Sequence, residues 1–244
     1  VIEVYKMPVF YKPKRVKSGR VYHVSASIPR YIRECFLTKE KEAIYEVDMA
    51  SAQPSILFLE WMRHIDSKEC PSNAEISEYK LCRQLFVSGG IYNYIKVNSG
   101  YYGQFKSKEE YAKLKKKILT SLNGKDSAAP CIVALKELFP NFMKWVTVIK
   151  KDNGHKHVSH IGQSAEAKIF VEVYKRLPEG IFSLIIHDCI LTTKENTLLV
   201  RKLLTERLKE LYGDIIPQGD NLDRVFKIDK VSKTLKEIFS EEKG

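Results

Sequence analysis

The chain has 244 residues, 44% of them apolar, enough to bury the core of one large domain or two small subdomains. Its 41 Lys and Arg against 30 Asp and Glu leave a formal charge of +11, which suggests a polyanionic partner, either nucleic acid or an acidic membrane surface, the bland alternative being a solubilising surface. Five cysteines with no CxxC pair argue against a disulfide-built secreted domain, and no transmembrane run or signal-peptide h-region is present, so the expectation is a soluble protein of a reducing, cytoplasmic compartment with no membrane partner.

Residues 1–22, basic and broken by Pro8, Pro13 and Gly19, read as an arm leading into the fold. Residues 44–49 alternate, with Ile44, Glu46 and Asp48 on one side and Tyr45, Val47 and Met49 on the other, which predicts a strand. Pro54 opens a helix over 55–63, with Ser51 or Gln53 as its expected cap. Another helix is expected near 76–86, then a loop over 89–102 rich in Gly, Tyr and Asn. The clearest helix is 108–122: Tyr111, Leu114, Ile118 and Leu122 share one face, Lys113, Lys116 and Lys117 lie on another, and Asn123-Gly124 ends it. Helices are expected at 129–138 and 141–149, with Asp152-Asn153-Gly154 turning the chain before His155. After a helix at 163–177, the apolar run 181–186, His187-Asp188 and the β-branched stretch 189–193 read as strand, turn and strand. A leucine-rich helix at 198–212 and a last strand at 224–228 follow. Strands and helices mix without strict alternation, which predicts an α+β fold with an antiparallel sheet.

Two carboxylates stand out by position, Asp48 at a strand end and Asp188 at a hairpin tip, where a side chain leaves the core and can meet a metal. Either alone reads most simply as a solvated turn residue. Their contexts carry more: Val47-Asp48-Met49-Ala50-Ser51-Ala52-Gln53-Pro54 and Ile186-His187-Asp188 resemble the two metal-binding motifs of the family A (DNA polymerase I-like) DNA polymerases and the single-subunit phage RNA polymerases. Gly19-Arg20 is similar to that family's Gly-Arg ahead of the first motif, and Gln163-Ser164-Ala165-Glu166-Ala167 to its Gln-Gly-x-Ala-Ala segment before the hairpin. The four short, degenerate segments occur in the family's order across residues 19–193.

The resemblance implies a polymerase palm, its antiparallel β-sheet backed by helices, plus a mostly helical fingers subdomain, with no recognisable thumb or exonuclease domain. Residues 1–44 then form an N-terminal arm and the start of the palm, 45–66 palm with the first metal motif, 67–154 fingers, and 155–244 palm with the second metal motif and C-terminal helix. The implied activity is template-directed nucleotidyl transfer, foremost by a DNA-dependent DNA polymerase. A primase or RNA polymerase on the same palm, a metal-dependent nuclease and a non-catalytic nucleic-acid-binding protein are the rival expectations. Asp48 and Asp188, with the backbone carbonyl of Met49, would hold two Mg²⁺ ions, Mn²⁺ being a possible substitute, to neutralise the attacking and leaving oxygens of an in-line displacement. His187 would steady the primer end. The implied partners are a primer-template, nucleoside triphosphates and a possible protein supplying thumb or clamp function, since nothing upstream of Asp48 is long enough for the family's thumb or exonuclease domain.

Lys113 and Lys117, one helical turn apart, resemble the family's Arg-x-x-x-Lys on the fingers helix, with Lys116 the alternative in a shifted register; an ordinary solvated lysine face is the competing account. The aromatic that normally follows that lysine, and the family's Tyr-Gly, are not evident. Gln53 stands where the DNA polymerases carry Glu under the sugar, and a bulky side chain there disfavours a ribose 2′-hydroxyl; Cys189, in place of a Glu after the His-Asp pair, points the other way. Arg20, Arg30, Arg33 and Gln163 are the expected nucleic-acid contacts, with surface ion pairs the alternative for Arg30 and Arg33. Tyr92, Tyr94, Tyr101, Tyr102 and Phe105, interleaved with Lys96 and Lys106, read either as a base-stacking surface or as plain exposed loop residues. His155, His157 and His160 bracket a transition metal only weakly, lacking a Cys pair.

Overall fold

The computed structural model describes residues 14–15, 18–22, 26, 28–104 and 107–233. Most of the N-terminal arm, Phe105, Lys106 and residues 234–244 of the expected palm lie outside the described residues. The fold is α+β and divides into two compact units, one built from 1–49, 166–211 and 226–244, the other from 50–165 and 212–225.

The first unit is organised by a four-stranded antiparallel sheet. Its strands are β3 (Ile44–Met49), β4 (Ser183–Ile186), β5 (Cys189–Thr193) and β6 (Phe226–Lys230), in the order β4-β5-β3-β6. A separate two-stranded ribbon pairs β1 (Lys14–Arg15) with β2 (Val21–Tyr22). Strand β3 sits centrally, Asp48 facing Cys189 on one side and Lys227 on the other. The expected alternation holds, and both faces are covered: Ile44, Leu184, Ile186, Cys189 and Leu191 pack with Phe36 and Val231, and Ile28 and Ile32 flank them. Helix α1 (Arg30–Arg33) precedes Phe36 and starts after Pro29, whose carbonyl takes the N–H groups of Ile32 and Arg33. Phe226 meets Phe170, their ring centroids 6.4 Å apart. Phe170 belongs to α8 (Lys156–Arg176), of which residues 166–176 lie in this unit, as does most of α9 (Thr197–Tyr212).

The second unit is helical: α2 (Ala52–Asp66), α3 (Asn73–Ser88), α4 (Ile91–Asn98), α5 (Lys108–Asn123), α6 (Pro130–Leu138), α7 (Pro140–Asn153) and the first ten residues of α8. Residues Ile56 to Leu59 of α2 are each at most 1% exposed, the mark of a helix covered on every side. Phe58 meets Phe139 and Phe142 edge-on at 5.1 and 4.8 Å. Glu78, itself buried, caps α7 by accepting from the Asn141 and Phe142 N–H groups at 2.9 and 2.8 Å. Gly89 closes α3 at φ 64°, and a Cβ there would stand 2.6 Å from the Arg224 carbonyl oxygen, so only glycine fits.

Four expectations are corrected. Residues 91–98 are helix α4, not loop, because Ile91, Tyr92 and Ile95 form one buried face. Helix α8 begins at Lys156 rather than 163, carrying His157 and His160 on its first turns. Neither Ser51 nor Gln53 caps α2: Ser51 is left-handed at φ 53°, and capping by a hydroxyl needs extended backbone. Ser55 Oγ donates instead to the Ala50 carbonyl at 2.9 Å. Helix α5 does end at Asn123, but Gly124 follows in extended backbone at φ −76° rather than the left-handed form.

Candidate active site

Antiparallel pairing of β3 with β5 brings the end of one strand beside the turn that begins the other. The Met49 N–H donates to the Asp188 carbonyl at 3.2 Å, and Asp48 stands opposite Cys189. His187 and Asp188 form the two-residue link between β4 and β5, with Ile186 paired to Cys189. His187 takes φ 51°, a left-handed geometry rare for a side chain with a Cβ but several-fold more frequent for His, Asn and Asp than for other non-glycine residues. The turn places Asp188 immediately before Cys189, the residue that pairs with Asp48.

The two carboxylates meet electrostatically. Burial first, then the Asp188 charge, then Glu46, push Asp48 up to about 7, against the smaller opposing pull of Lys227 and Arg30. Burial also raises Asp188, opposed by a backbone hydrogen bond, His187 and Arg20. A third carboxylate joins them: Glu166 of α8, 3% exposed, is pushed up to about 7 by burial first, with Arg20 pulling the other way and Asp188 adding to the rise. Arg20 Nη2 donates to Glu166 Oε2, while Glu166 Oε1 is buried without a hydrogen-bond partner among the described residues. Gly19 precedes Arg20 at φ 81°, with space for a Cβ limited by the Ala167 side chain at 3.4 Å. The sheet end thus gathers four carboxylates, Glu46, Asp48, Glu166 and Asp188, whose charges Lys227, Arg30, Arg20 and Arg33 oppose; carboxylate and carbonyl oxygens are the ligand type that divalent cations such as Mg²⁺ take.

Each expected residue has a definite setting. Asp48, Asp188, His187, Met49 and Arg20 lie together in the first unit. The Met49 side chain is in the core, 1% exposed, leaving its backbone as its only polar offering. Arg30 is committed to Glu46 at 2.8 Å and to Glu34 at 3.6 Å, so the ion-pair alternative holds for it. Arg33 keeps a buried Nε with no hydrogen-bond partner among the described residues. Cys189 is buried, and burial with the neighbouring Asp188 and Asp48 charges holds its thiol well above the ordinary value.

Gln53, Gln163, Lys113, Lys116 and Lys117 belong to the second unit. Gln163 donates to Ser159 Oγ at 3.1 Å. The three lysines are exposed on α5, on the face away from buried Leu114, Ile118 and Leu122, and Lys117 Nζ sits 5.8 Å from the Tyr101 ring centroid. Tyr92 and Tyr102 are 7% and 0% exposed, and Tyr102 donates its hydroxyl to the Cys131 carbonyl at 2.9 Å; they are core residues, which overturns the base-stacking reading for both. Among the described residues no three His, Cys, Asp or Glu side chains group closely enough to hold a metal by themselves; this holds for His155, His157 and His160 and equally for Asp48 and Asp188 with Glu46 or Glu166. Glu46, Glu166 and Lys227 were missed as members of the acidic cluster. The alternation of β3 puts Glu46 on the Asp48 face and Glu166 lies inside a recognised segment, but nothing local to Lys227 marks it.

No helix among the described residues is long and apolar enough to cross a membrane. All five cysteines are free thiols. No protein-family model matches the chain, and no curated protein matches it significantly.

Proposed function

We propose that this chain is the palm-and-fingers core of a template-directed nucleotidyltransferase, most simply a DNA-dependent DNA polymerase of family A type. The observation that carries this reading is the meeting of Asp48 and Asp188 at the ends of adjacent antiparallel strands, where the charge of one raises the pKa of the other. The two segments that carry Asp48 and Asp188, distant in the sequence, share one sheet end, which supports this reading. The first unit would hold the palm and the helical second unit the fingers, with 50–66, 155–165 and 212–225, expected as palm, belonging to the second unit. Asp48, Asp188 and the Met49 carbonyl would hold the cations, with water and phosphate oxygens completing their coordination. Bound there, two Mg²⁺ or Mn²⁺ ions offset charge on the attacking 3′-oxygen and the leaving pyrophosphate.

The chain's own residues do the remaining work. His187 is held at the hairpin tip by its turn and is set to steady the primer end. Glu166 pairs with Arg20 and holds its charge near Asp188, where it would add to the attraction for a primer or template phosphate. Lys113, Lys116 and Lys117 present a cationic helix face for the triphosphate, and Gln53 favours deoxynucleotides. A protein partner supplies thumb or clamp function.

Primer extension tests this. With Mg²⁺, a DNA primer-template and deoxynucleotides, the wild type should lengthen the primer, and D48N and D188N should each lower the rate about a thousandfold. Primer-template affinity, read by fluorescence anisotropy, should stay within about threefold, because phosphate contacts by Lys and Arg dominate it. Parallel reactions with ribonucleotides, without primer and without nucleotides separate the RNA polymerase, primase and nuclease readings. Wild-type extension by either variant would defeat the proposal.

A further inference from the structure

Both tryptophans of the chain, Trp61 and Trp145, line a single cavity of about 340 Å³ in the helical second unit. That volume falls in the range of small-molecule sites. Trp61 forms part of its floor, 1% exposed, whereas Trp145 is half-buried. The Trp145 ring is 6.0 Å from that of buried Phe142, tilted 31°, and 6.5 Å from that of exposed His64, tilted 32°. Phe142 is fixed in the core, so Trp145 is braced from behind, while His64 has solvent on its outer side. Burial first, then the ammonium of Lys68, holds the His64 imidazole below its ordinary value and so favours its uncharged form.

Charge at the rim is cationic. Lys68 is paired with Glu75, which is also the capping carboxylate of α3, so that pair contributes little net charge. Lys144, one residue from Trp145 on α7, is exposed and forms no ion pair among the described residues. Val148, one turn further along the same helix and 48% exposed, adds an apolar edge. A braced indole, a neutral ring beside it and an uncommitted ammonium at its shoulder match one ligand chemistry: a flat heteroaromatic ring carrying a phosphate.

We propose that this cavity binds one nucleotide unit of a single-stranded nucleic acid, with its base against Trp145 and its phosphate on Lys144. The site belongs to the second unit alone and does not depend on Asp48 or Asp188.

The chain's own fluorescence reports it, since every tryptophan lies in the cavity. Titration with a 12-residue oligothymidylate in EDTA should quench emission saturably, and rising salt should weaken the effect. K144E should weaken binding at least fivefold with an unchanged circular dichroism spectrum, and W145L about tenfold by anisotropy of a labelled strand, with W145F largely retained. Thymidine monophosphate separates the two sources of this chemistry: quenching by the strand alone assigns a strand site, and equal quenching by the monophosphate assigns a free-nucleotide site. Three outcomes overturn the proposal: no quenching while the labelled strand binds or fails to bind, wild-type affinity in K144E, or equal quenching by polyglutamate, which would mark an acidic protein segment as the occupant.

Discussion

The charge of Asp48 works against the fold when no cation is present. Its value rises from 3.8 to about 7 on folding, and that of Glu166 from 4.5 to about 7, chiefly through burial. Because both folded values are raised, the stability they contribute is fully present below about pH 4 and is lost as pH climbs through about 7. Asp48→Asn should therefore stabilise the metal-free protein at pH 8 by about 1–2 kcal/mol and flatten its profile between pH 4 and 7, measured by urea unfolding in EDTA. A variant less stable than wild type at pH 8 would mean that Asp48 serves the fold rather than a cation. His187 presents a backbone question instead. At φ 51° any Cβ is strained, so His187→Gly should exceed His187→Ala in stability by about 1 kcal/mol, since both lose the imidazole and only alanine keeps the Cβ. Asp48 and Asp188 were legible because each sits in a local motif whose neighbours are adjacent in sequence. The ion pair of Arg20 with Glu166, 146 residues apart, and the facing of Asp48 and Lys227 were not, because folding alone brings those residues together.

Helix ends explain much of what was legible at the level of elements. Strand β3 announced itself by alternation, and α5 by apolar positions a turn apart. Helix α4 did not, since Gly89, Gly90, Asn93, Asn98 and two tyrosines carry loop composition, and only the spacing of Ile91, Tyr92 and Ile95 reveals a helix. The start of α8 was hidden by residues of modest helix propensity, His157, Ser159, His160 and Gly162, although Val158, Gly162 and Ala165 bury one face. Two capping boxes, Ser72 with Glu75 and Ser107 with Glu110, fix the starts of α3 and α5. Ser107→Ala should destabilise the protein by about 1 kcal/mol and raise amide exchange in the first turn of the lysine-bearing helix. At α3 the same motif carries a pH signature. Hydrogen bonds from Lys68 first, then from the Ser72 backbone, hold Glu75 down at about 2 from 4.5, so its stabilisation is present above 4.5 and lost as pH falls through about 2. Glu75→Gln should flatten that acid limb of the unfolding profile.

At the scale of the whole chain, the first unit is assembled from segments that meet only after long detours. Strand β3 pairs with β5 and β6 at separations that the intervening helical segments make large, and residues 231–233 return to the segment around 34–44. Ser232 anchors this return: 3% exposed, it accepts from the Ile44 N–H at 2.7 Å and donates to the Phe36 carbonyl, while the Val231 N–H bonds to the Ile44 carbonyl at 2.8 Å. Lys233 adds a bond from its N–H to the Glu34 carbonyl at 2.7 Å and an ion pair with the Glu34 side chain at 3.1 Å. Removing the hydroxyl strands two buried backbone groups, so Ser232→Ala should cost about 2 kcal/mol, well beyond the loss of one net hydrogen bond. The partners lie 188 and 196 residues away, and closing such loops is slow relative to forming the local helices. This contact should therefore form after the rate-limiting step. Ser232→Ala is expected to speed unfolding while leaving refolding within about twofold of wild type, in stopped-flow experiments followed by far-ultraviolet circular dichroism. A refolding rate that falls in proportion to the lost stability would instead put the joining of residues 36, 44 and 232 in the folding nucleus.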